Sequence, residues 1–225
     1  MKKSKPINFQ STSIFSALFT TIILFILEIL MLTMFVSIKP FKGNPFLSYS
    51  VVYIIFILTL FIIERKTLIK MIHSLKKYLI DNYKNIIKVT ISLLLLEFIL
   101  NFILIKIIGH QPSNNQIIID AIKDYGYLVL LFYSVILCPI LESLIYFYPY
   151  QKVKNQKLAF IISSLVFALF HITSSNSLID ILFLIPYFSM SCAFTYGFFK
   201  TKNIYVSMIV HSINNILAFV LLLFM

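Results

Sequence analysis

Four polar side chains in the C-terminal half of the chain have types and spacings that could do chemistry. Glu142 is the one carboxylate of the hydrophobic stretch LCPILESLIYF. An ionised group in hydrocarbon costs roughly 3 kcal/mol, so an intramembrane Glu is by default a functional-site hypothesis. Its candidate partners lie downstream, where His171 follows Phe167 by four residues and His211 precedes Asn215 by four. Each of these pairs therefore shares one face of a helix.

Together these side chains could direct water onto an amide carbonyl. A carboxylate in an apolar pocket can act as general base when a His shares the water that it deprotonates, and Glu142 with His171 fits this role. A second His and a carboxamide one helical turn apart can donate hydrogen bonds to a developing oxyanion. The pattern therefore predicts the catalytic residues Glu142, His171, His211 and Asn215.

A metal centre is the alternative use of the same residues. Glu142, His171 and His211 could hold a zinc ion as three protein ligands, with the fourth position left to water. However, the tight His-Glu-x-x-His spacing of helical metalloproteases is absent. Cys138 and Cys192 lie in apolar runs without CxxC spacing and add no metal motif. The residues leave both alternatives open, and a site without metal or other cofactor is the preferred hypothesis.

Other polar residues within the apolar runs have a structural interpretation. Glu97 lies four residues before Asn101, so a hydrogen bond on one helix face is sufficient to explain it. Glu28 has only Thr20 and Thr21 as polar neighbours a turn or two back. A single His in a membrane helix is also more often an interhelical hydrogen-bond partner than a catalyst.

The composition indicates a membrane protein. Of the 225 residues, 60% are hydrophobic and 12% charged, and the mean hydropathy is +0.96, whereas soluble domains have about 25% charged residues. The net charge of +11 does not indicate nucleic-acid binding, because the basic residues form short clusters between apolar runs. The lipid bilayer is thus the expected environment.

The sequence predicts an all-α fold, a polytopic membrane helix bundle with about seven transmembrane helices. These helices must position the four side chains. A span needs about 20 mostly apolar residues, and seven segments meet or approach this length. They are 15–38, 46–63, 86–108, 126–147, 158–172, 178–199 and 204–225. The chain divides into N-terminal membrane helices, 1–125, and a candidate catalytic core, 126–225, which we expect to form one structural unit.

The basic residues predict the orientation. With the N-terminus inside, fifteen Lys and Arg residues lie on the inner side and four on the outer side, so the positive-inside rule places the N-terminus in the cytoplasm and the C-terminus outside the cell. The basic segment 64–85 has apolar residues at helical spacing and is predicted to form an amphipathic helix on the cytoplasmic leaflet. A binding site for a partner protein is the alternative. The outer loop 110–126 could carry a short helix from Ile117.

On these motifs the chain resembles the CPBP family of intramembrane endopeptidases. This family, also called the Abi or CAAX-protease family, includes type 2 CAAX prenyl proteases and bacteriocin self-immunity proteins of bacteria. It carries Pro-x-x-Glu-Glu-x-x-x-Arg, Phe-x-x-x-His and His-x-x-x-Asn or Asp on successive helices. The matching residues are Pro139, Glu142, Phe167, His171, His211 and Asn215. The resemblance covers residues 128–218 and implies a peptidase whose first Glu and first His activate water, while the second His and the Asn form an oxyanion hole.

The first motif departs from the family pattern. Ser143 stands at the position of the second Glu, and Phe147 at that of the Arg. Tyr146 and Tyr148 replace an expected Phe and Gly. Loss of the Glu and the Arg together is physically coherent, because removing one partner of a buried ion pair leaves an unpaired charge, whereas replacing both can cost little. The changes therefore indicate a coordinated removal of a charged pair.

The expected function is hydrolysis of a peptide bond within or next to the bilayer. A bacterial leader, pheromone precursor or bacteriocin, with a hydrophobic or amphipathic end, is the expected substrate, and the residue bias towards Lys, Ile, Asn and Phe is typical of an AT-rich genome. The alternative is a catalytically impaired family member that acts as a membrane immunity or regulatory binding protein. A transporter is a weaker third interpretation, because no paired segments are broken by Gly. The sequence does not predict an oligomeric state.

Overall fold

The computed structural model describes residues 11–38, 44–173 and 178–222. The predicted locations of both chain termini and of Lys2, Lys3, Lys5, Lys39 and Lys42 lie outside these ranges. Within them the chain is helical, apart from turns and one parallel bridge between Thr12 and Val153. Six helical stretches of the described residues are long and apolar enough to cross a membrane, and a seventh apolar helix is shorter. The protein is thus a multi-pass membrane protein, and the predicted all-α fold is confirmed.

Nine α-helices follow one another within the described residues, and π- and 3-10-helical turns extend some of them. They are α1 (Ile14–Ser37), α2 (Pro45–Ile63), α3 (Arg65–Ile108), α4 (Ser113–Tyr125), α5 (Tyr127–Phe132), α6 (Cys138–Glu142), α7 (Gln156–His171), α8 (Leu184–Thr201) and α9 (Ile204–Leu222). The π-helical turns are Tyr133–Leu137 and Ser143–Phe147, and the 3-10 turns are Tyr148–Lys152 and Leu178–Phe183. Each predicted span overlaps at least one of these helices, and α4 overlaps the predicted outer helix.

Side-chain caps explain where several helices begin. The Ser13 hydroxyl accepts a hydrogen bond from the Ser16 amide at 3.0 Å, and the Asn44 and Asn155 side chains cap α2 and α7 in the same way. These oxygens bond amides that have no partner within the helix. The caps fix the start of α7, which carries His171 at its other end.

Helix α3 is longer than the sequence analysis predicted. It contains 44 residues, which corresponds to roughly 66 Å at about 1.5 Å per residue. The segment 64–85 is helical as predicted, but it continues without a break into the third span. The reason is visible in the sequence, since no Gly or Pro interrupts Arg65–Ile108 and the helix ends at Gly109 with φ 89°. Leu68 and Met71 on this segment are buried against the bundle.

The core lies in the C-terminal part of the chain, around α8. In the most apolar 18 residues of the span Leu178–Thr201, 61% are buried, against 17% in the corresponding stretch of α1. The Ser189 hydroxyl of α8 donates to the Leu93 carbonyl of α3 at 2.8 Å, and Ser164 of α7 bonds Thr195 at 2.8 Å. A Cβ at Gly197 would lie 2.5 Å from Val206, so α9 can approach α8 this closely only at a glycine. Helices α3, α7 and α9 therefore surround α8.

Candidate active site

Pro139 changes the backbone of the helix that carries Glu142. Its ring removes one amide donor and crowds the preceding turn. The Cys138 amide consequently bonds the Tyr133 carbonyl, five residues back, in a π-helical turn. A second π-helical turn, in which the Tyr148 amide bonds the Ser143 carbonyl, follows Glu142 directly. Two such turns on either side of a short α-helix aim Glu142 into the bundle, and π-helical turns are frequent at functional sites.

Three of the four predicted side chains converge from α6, α7 and α9. The Glu142 Oε2 atom lies 3.8 Å from His211 Nε2 and 3.9 Å from His171 Nε2. The side chains are largely enclosed, with 19% of Glu142, 15% of His171 and 4% of His211 exposed. These separations exceed a direct hydrogen bond, and a single water with hydrogen bonds of about 2.8 Å can bridge them. The geometry therefore suits a water shared by a carboxylate and two imidazoles.

The backbone fixes the tautomer of His171. Its Nδ1 lies 2.9 Å from the Phe167 carbonyl oxygen, which can only accept a hydrogen bond, so Nδ1 carries the proton. The Nε2 of the neutral ring then presents a lone pair towards Glu142. Phe167 also stacks on the imidazole, with ring centroids 4.1 Å apart. His171 Nε2 is thus oriented to accept a hydrogen bond from a donor such as water placed between it and Glu142.

His211 is held by aromatic rings. Phe194 of α8 stacks on it with centroids 4.1 Å apart and planes 16° from parallel, and Phe167 approaches it edge-on at 5.8 Å. Its Nδ1 has no hydrogen-bond partner among the described residues, whereas its Nε2 faces Glu142. A proton on Nε2 would therefore point into the site. Sequence reasoning missed Phe194, and no motif or spacing in the sequence distinguishes it from the other phenylalanines.

The structure places Asn215 on α9, one helical turn beyond His211. Its amide donates to the Ser134 carbonyl at 2.7 Å. In an α-helix this carbonyl would accept from the Cys138 amide, which bonds Tyr133 instead, and in the π-helical register it would face Pro139, which has no N–H. Asn215 therefore bonds the carbonyl that Pro139 leaves without a donor, which connects the first and third motifs.

The two positions that depart from the family pattern lie in the protein interior. Ser143 and Phe147 are both fully buried, and they are four residues apart on one helical segment. Phe147 packs against Phe167 with centroids 5.3 Å apart, and the Ser143 hydroxyl has no hydrogen-bond partner among the described residues. A single charge at either position would be buried without its partner, which agrees with the interpretation that both were replaced together.

The turn between α8 and α9 sets the position of the helix that carries His211. Lys202 adopts φ 57°, and the buried Asn203 donates to the Met71 carbonyl of α3 at 2.6 Å. The Lys202 ammonium is partly buried, and this loss of solvent lowers its pKa to about 8. The start of α9 is thus attached to the basic half of α3.

The geometry leaves the zinc alternative to experiment. Glu142, His171 and His211 are of the ligand types that zinc prefers, and three ligands plus a water would complete a tetrahedron. In such a centre the ligand atoms would lie about 3.3 Å from one another, since metal–ligand distances are about 2.0 Å. The described residues hold no cluster of His, Cys, Asp or Glu that is already arranged to bind a metal.

The other two intramembrane carboxylates differ from each other. Glu97 accepts a hydrogen bond from Asn101 at 2.5 Å, which confirms the local pair predicted from their spacing. Glu28, by contrast, is turned into the protein, and only 7% of it is exposed. The two Thr residues that were predicted as its neighbours bond backbone carbonyls instead.

A comparison with protein families agrees with this assembly. Residues 124–217 match the family model described as type II CAAX prenyl endopeptidase, Rce1-like. The match covers less than half of the chain and includes all four predicted site residues. Searches of curated proteins and of solved structures gave no match. The matched family is a protease family and supports a membrane endopeptidase at the level of the family. Residues 124–217 are therefore similar to the CAAX protease family, which confirms the resemblance that the motifs indicated.

Proposed function

We propose that the protein is an intramembrane endopeptidase that hydrolyses a peptide bond in a membrane-associated peptide or protein. The observation that carries this proposal is the convergence of one carboxylate and two imidazoles on one point, with Glu142 Oε2 at 3.8 and 3.9 Å from the two Nε2 atoms. Water enclosed in such a site meets two acceptors and one donor. The family match supports the same class of reaction.

Each of the four site residues has its own role in the proposed hydrolysis. Glu142 takes a proton from water while His171 Nε2 accepts the other hydrogen bond, and the water oxygen forms a bond with the carbonyl carbon. The resulting oxyanion accepts a hydrogen bond from His211 Nε2–H, and the second N–H of the Asn215 amide donates another. The intermediate collapses as the C–N bond breaks, and the leaving nitrogen receives the proton held by Glu142.

The proposed substrate is a peptide with a hydrophobic or amphipathic end that reaches the site from the bilayer or its cytoplasmic face. Glu142 lies shortly before the 3-10 turn Tyr148–Lys152, and His211 lies about two turns into α9. Under the positive-inside rule both of these helix ends face the cytoplasm of the cell membrane. Maturation of a bacteriocin or pheromone in a bacterium, or immunity to one, fits this access route. Reporters fused after Lys154 and at the C-terminus test the orientation, and an extracellular signal at the first fusion would contradict it.

The test is cleavage by purified protein in proteoliposomes. A set of amphipathic peptides and one CAAX peptide, with and without a prenyl group, is incubated with wild type, Glu142→Gln and His171→Ala, and the products are identified by mass spectrometry. We expect cleavage of at least one unprenylated peptide by wild type and none by Glu142→Gln. Equal cleavage by all three proteins would contradict the catalytic role, and absence of cleavage by wild type would contradict the proposed function.

A second candidate function follows from Ser143 and Phe147. Because both replace charged motif residues and both are buried, the chain could be an impaired family member that binds a bacteriocin or a membrane partner without cleaving it. A protection assay in the producing host distinguishes the two functions. If Glu142→Gln and His171→Ala protect cells against bacteriocins as well as wild type does, the binding function is favoured.

Chelation decides between water activation with and without zinc. We expect purified wild type to keep its activity after chelator treatment and to contain no stoichiometric zinc. Zinc that is lost together with activity, and restored with it, would instead assign Glu142, His171 and His211 as its ligands.

A further inference from the structure

Helix α1 buries the carboxyl group of Glu28, a residue that belongs to none of the sequence motifs. Its buried residues are Ala17, Thr21 and Glu28, which share one face at spacings of four and seven residues. Most of the remaining α1 side chains face outward, as expected for a helix at the edge of a membrane bundle. A Glu on the single inward face is unusual, since polar groups within a membrane helix turn inward when they have partners there.

The inward face of α1 packs on the segment that carries Glu142. The Thr21 hydroxyl donates to the Ile145 carbonyl at 3.2 Å, three residues after Glu142. Phe25 contacts Phe170, the neighbour of His171, with ring centroids 4.0 Å apart. Because Thr12 bonds Lys152 and Thr21 bonds Ile145, α1 and the 127–147 segment run in opposite directions. Glu28 therefore lies two turns further along α1, towards Cys138.

Hydroxyl and thiol groups connect Glu28 with the segment that carries Glu142. The Tyr53 hydroxyl of α2 is within hydrogen-bonding range of the Glu28 carboxyl. The Tyr53 ring lies 5.1 Å from that of Tyr133, and the Tyr133 hydroxyl interacts with both Tyr53 and Cys138. Cys138 lies on the same segment as Glu142, one helical turn before it. A continuous polar path therefore runs from α1 to the site.

We propose that Glu28 is the second carboxyl group of the site, a positioning residue that acts on Glu142 through Tyr53, Tyr133 and Cys138. It would supply from α1 the carboxyl that the family motif carries at the position of Ser143. This inference rests on the proposed function of Glu142 as the base.

The physical reason lies in the low dielectric of the interior. Hydrogen bonds between buried polar groups are stronger there than in water, so a connected network fixes the orientation of each member. Glu28, at one end of the path, therefore restrains Tyr53, Tyr133 and Cys138, and through them the carboxyl group of Glu142. Loss of Glu28 would disturb the orientation of the base, while the contacts with substrate would be retained.

The first test is kinetic and uses the peptide that wild type cleaves in proteoliposomes. We expect Glu28→Gln to lower kcat about tenfold to hundredfold with an unchanged KM, as is common for groups that orient a site residue. Glu28→Asp should recover part of the loss, and Tyr53→Phe should lower kcat about three- to tenfold. The matched control is Glu97→Gln, which removes an intramembrane carboxyl that bonds its own helix and should leave kcat unchanged.

The second test needs no substrate. Infrared difference spectra at acidic pH record the carboxyl C=O bands of wild type, Glu28→Gln, Glu142→Gln and Glu97→Gln in detergent. We expect Glu142→Gln to shift the band that Glu28→Gln removes, and the reverse, whereas Glu97→Gln removes its own band alone.

The outcomes separate this inference from the proposed function. Wild-type kcat in Glu28→Gln, together with an inactive Glu142→Gln, would overturn the role of Glu28 and leave the peptidase intact. Independent infrared bands for Glu28 and Glu142 would likewise overturn the shared path. If wild type cleaves no peptide, the proposed function fails, and coupled bands would still establish the path between the two carboxyl groups.

Discussion

Glu142 and Glu97 are both carboxylates in membrane-spanning helices, and their surroundings show how a site differs from a structural pair. Glu97 bonds Asn101 on its own helix at 2.5 Å. Glu142 Oε2 has no hydrogen-bond partner among the described residues and faces two imidazoles from other helices at 3.8 and 3.9 Å. The first carboxylate is stabilised as soon as α3 forms, whereas the second depends on the assembly of three helices. Glu142 is therefore left to interact with the groups that the bundle brings to it, as a reacting group must be.

The largest effect is expected where the cross-helix contacts are removed. His171→Gln and His211→Gln should each lower kcat/KM by about 10²- to 10⁴-fold, because each removes one partner of the reacting atoms. The double variant should lose little more than either single one, since residues that act on one transition state are not additive. Steady-state kinetics in proteoliposomes measure this. Additive losses would indicate that the two histidines act independently.

Ser143 and Phe147 stand where the family motif carries a Glu and an Arg, and like Glu97 and Asn101 they are four residues apart on one helical segment. Phe147→Arg should destabilise the protein by about 3–5 kcal/mol, because it buries an unpaired charge beside Phe167. Ser143→Glu in the same chain should recover part of this loss, as the two positions are four residues apart. Thermal unfolding in detergent measures both variants. A double variant less stable than Phe147→Arg would contradict the charged-pair interpretation.

The bond between Asn215 and Ser134 gives a smaller and more specific effect. Asn215→Ala should cost about 1–3 kcal/mol of unfolding free energy, because the buried Ser134 carbonyl loses its donor. In a Pro139→Ala background the cost should fall, since the substitution restores the missing backbone amide. A double-mutant cycle measures the coupling. Equal costs in both backgrounds would show that Asn215 does not compensate for Pro139.

The smallest effect is expected at the local pair. Glu97→Gln keeps an acceptor for the Asn101 amide, so the unfolding free energy should change by less than about 0.5 kcal/mol. Activity should stay at the wild-type level. A large loss of activity in this variant would remove the distinction between the two carboxylates.

Local patterns in the sequence predicted what depends on local physics. Hydropathy located the spans, and the spacing of Glu97 and Asn101 predicted their bond, because both follow from the geometry of a single helix. The motif spacings also identified the three side chains that the structure brings together. The family match confirmed the resemblance on which their roles were assigned.

Long-range contacts could not be predicted from patterns in the sequence. No pattern showed that Asn215 would bond Ser134, that Phe194 would stack on His211, or that Glu28 would turn inward towards Tyr53. The boundary at residue 85 was wrong for a different reason. The sequence changes there from basic to apolar, but a change in polarity does not end a helix when no Gly, Pro or cap interrupts the backbone.

The most direct test of the account is the cleavage rate of Glu142→Gln beside Glu97→Gln in the same proteoliposomes, with equal amounts of folded protein. Each variant removes one intramembrane carboxylate and replaces it with an isosteric amide. The account predicts that Glu142→Gln loses about 10²- to 10⁴-fold in rate, whereas Glu97→Gln cleaves as wild type does. Equal rates in the two variants would contradict the claim that Glu142 is the base.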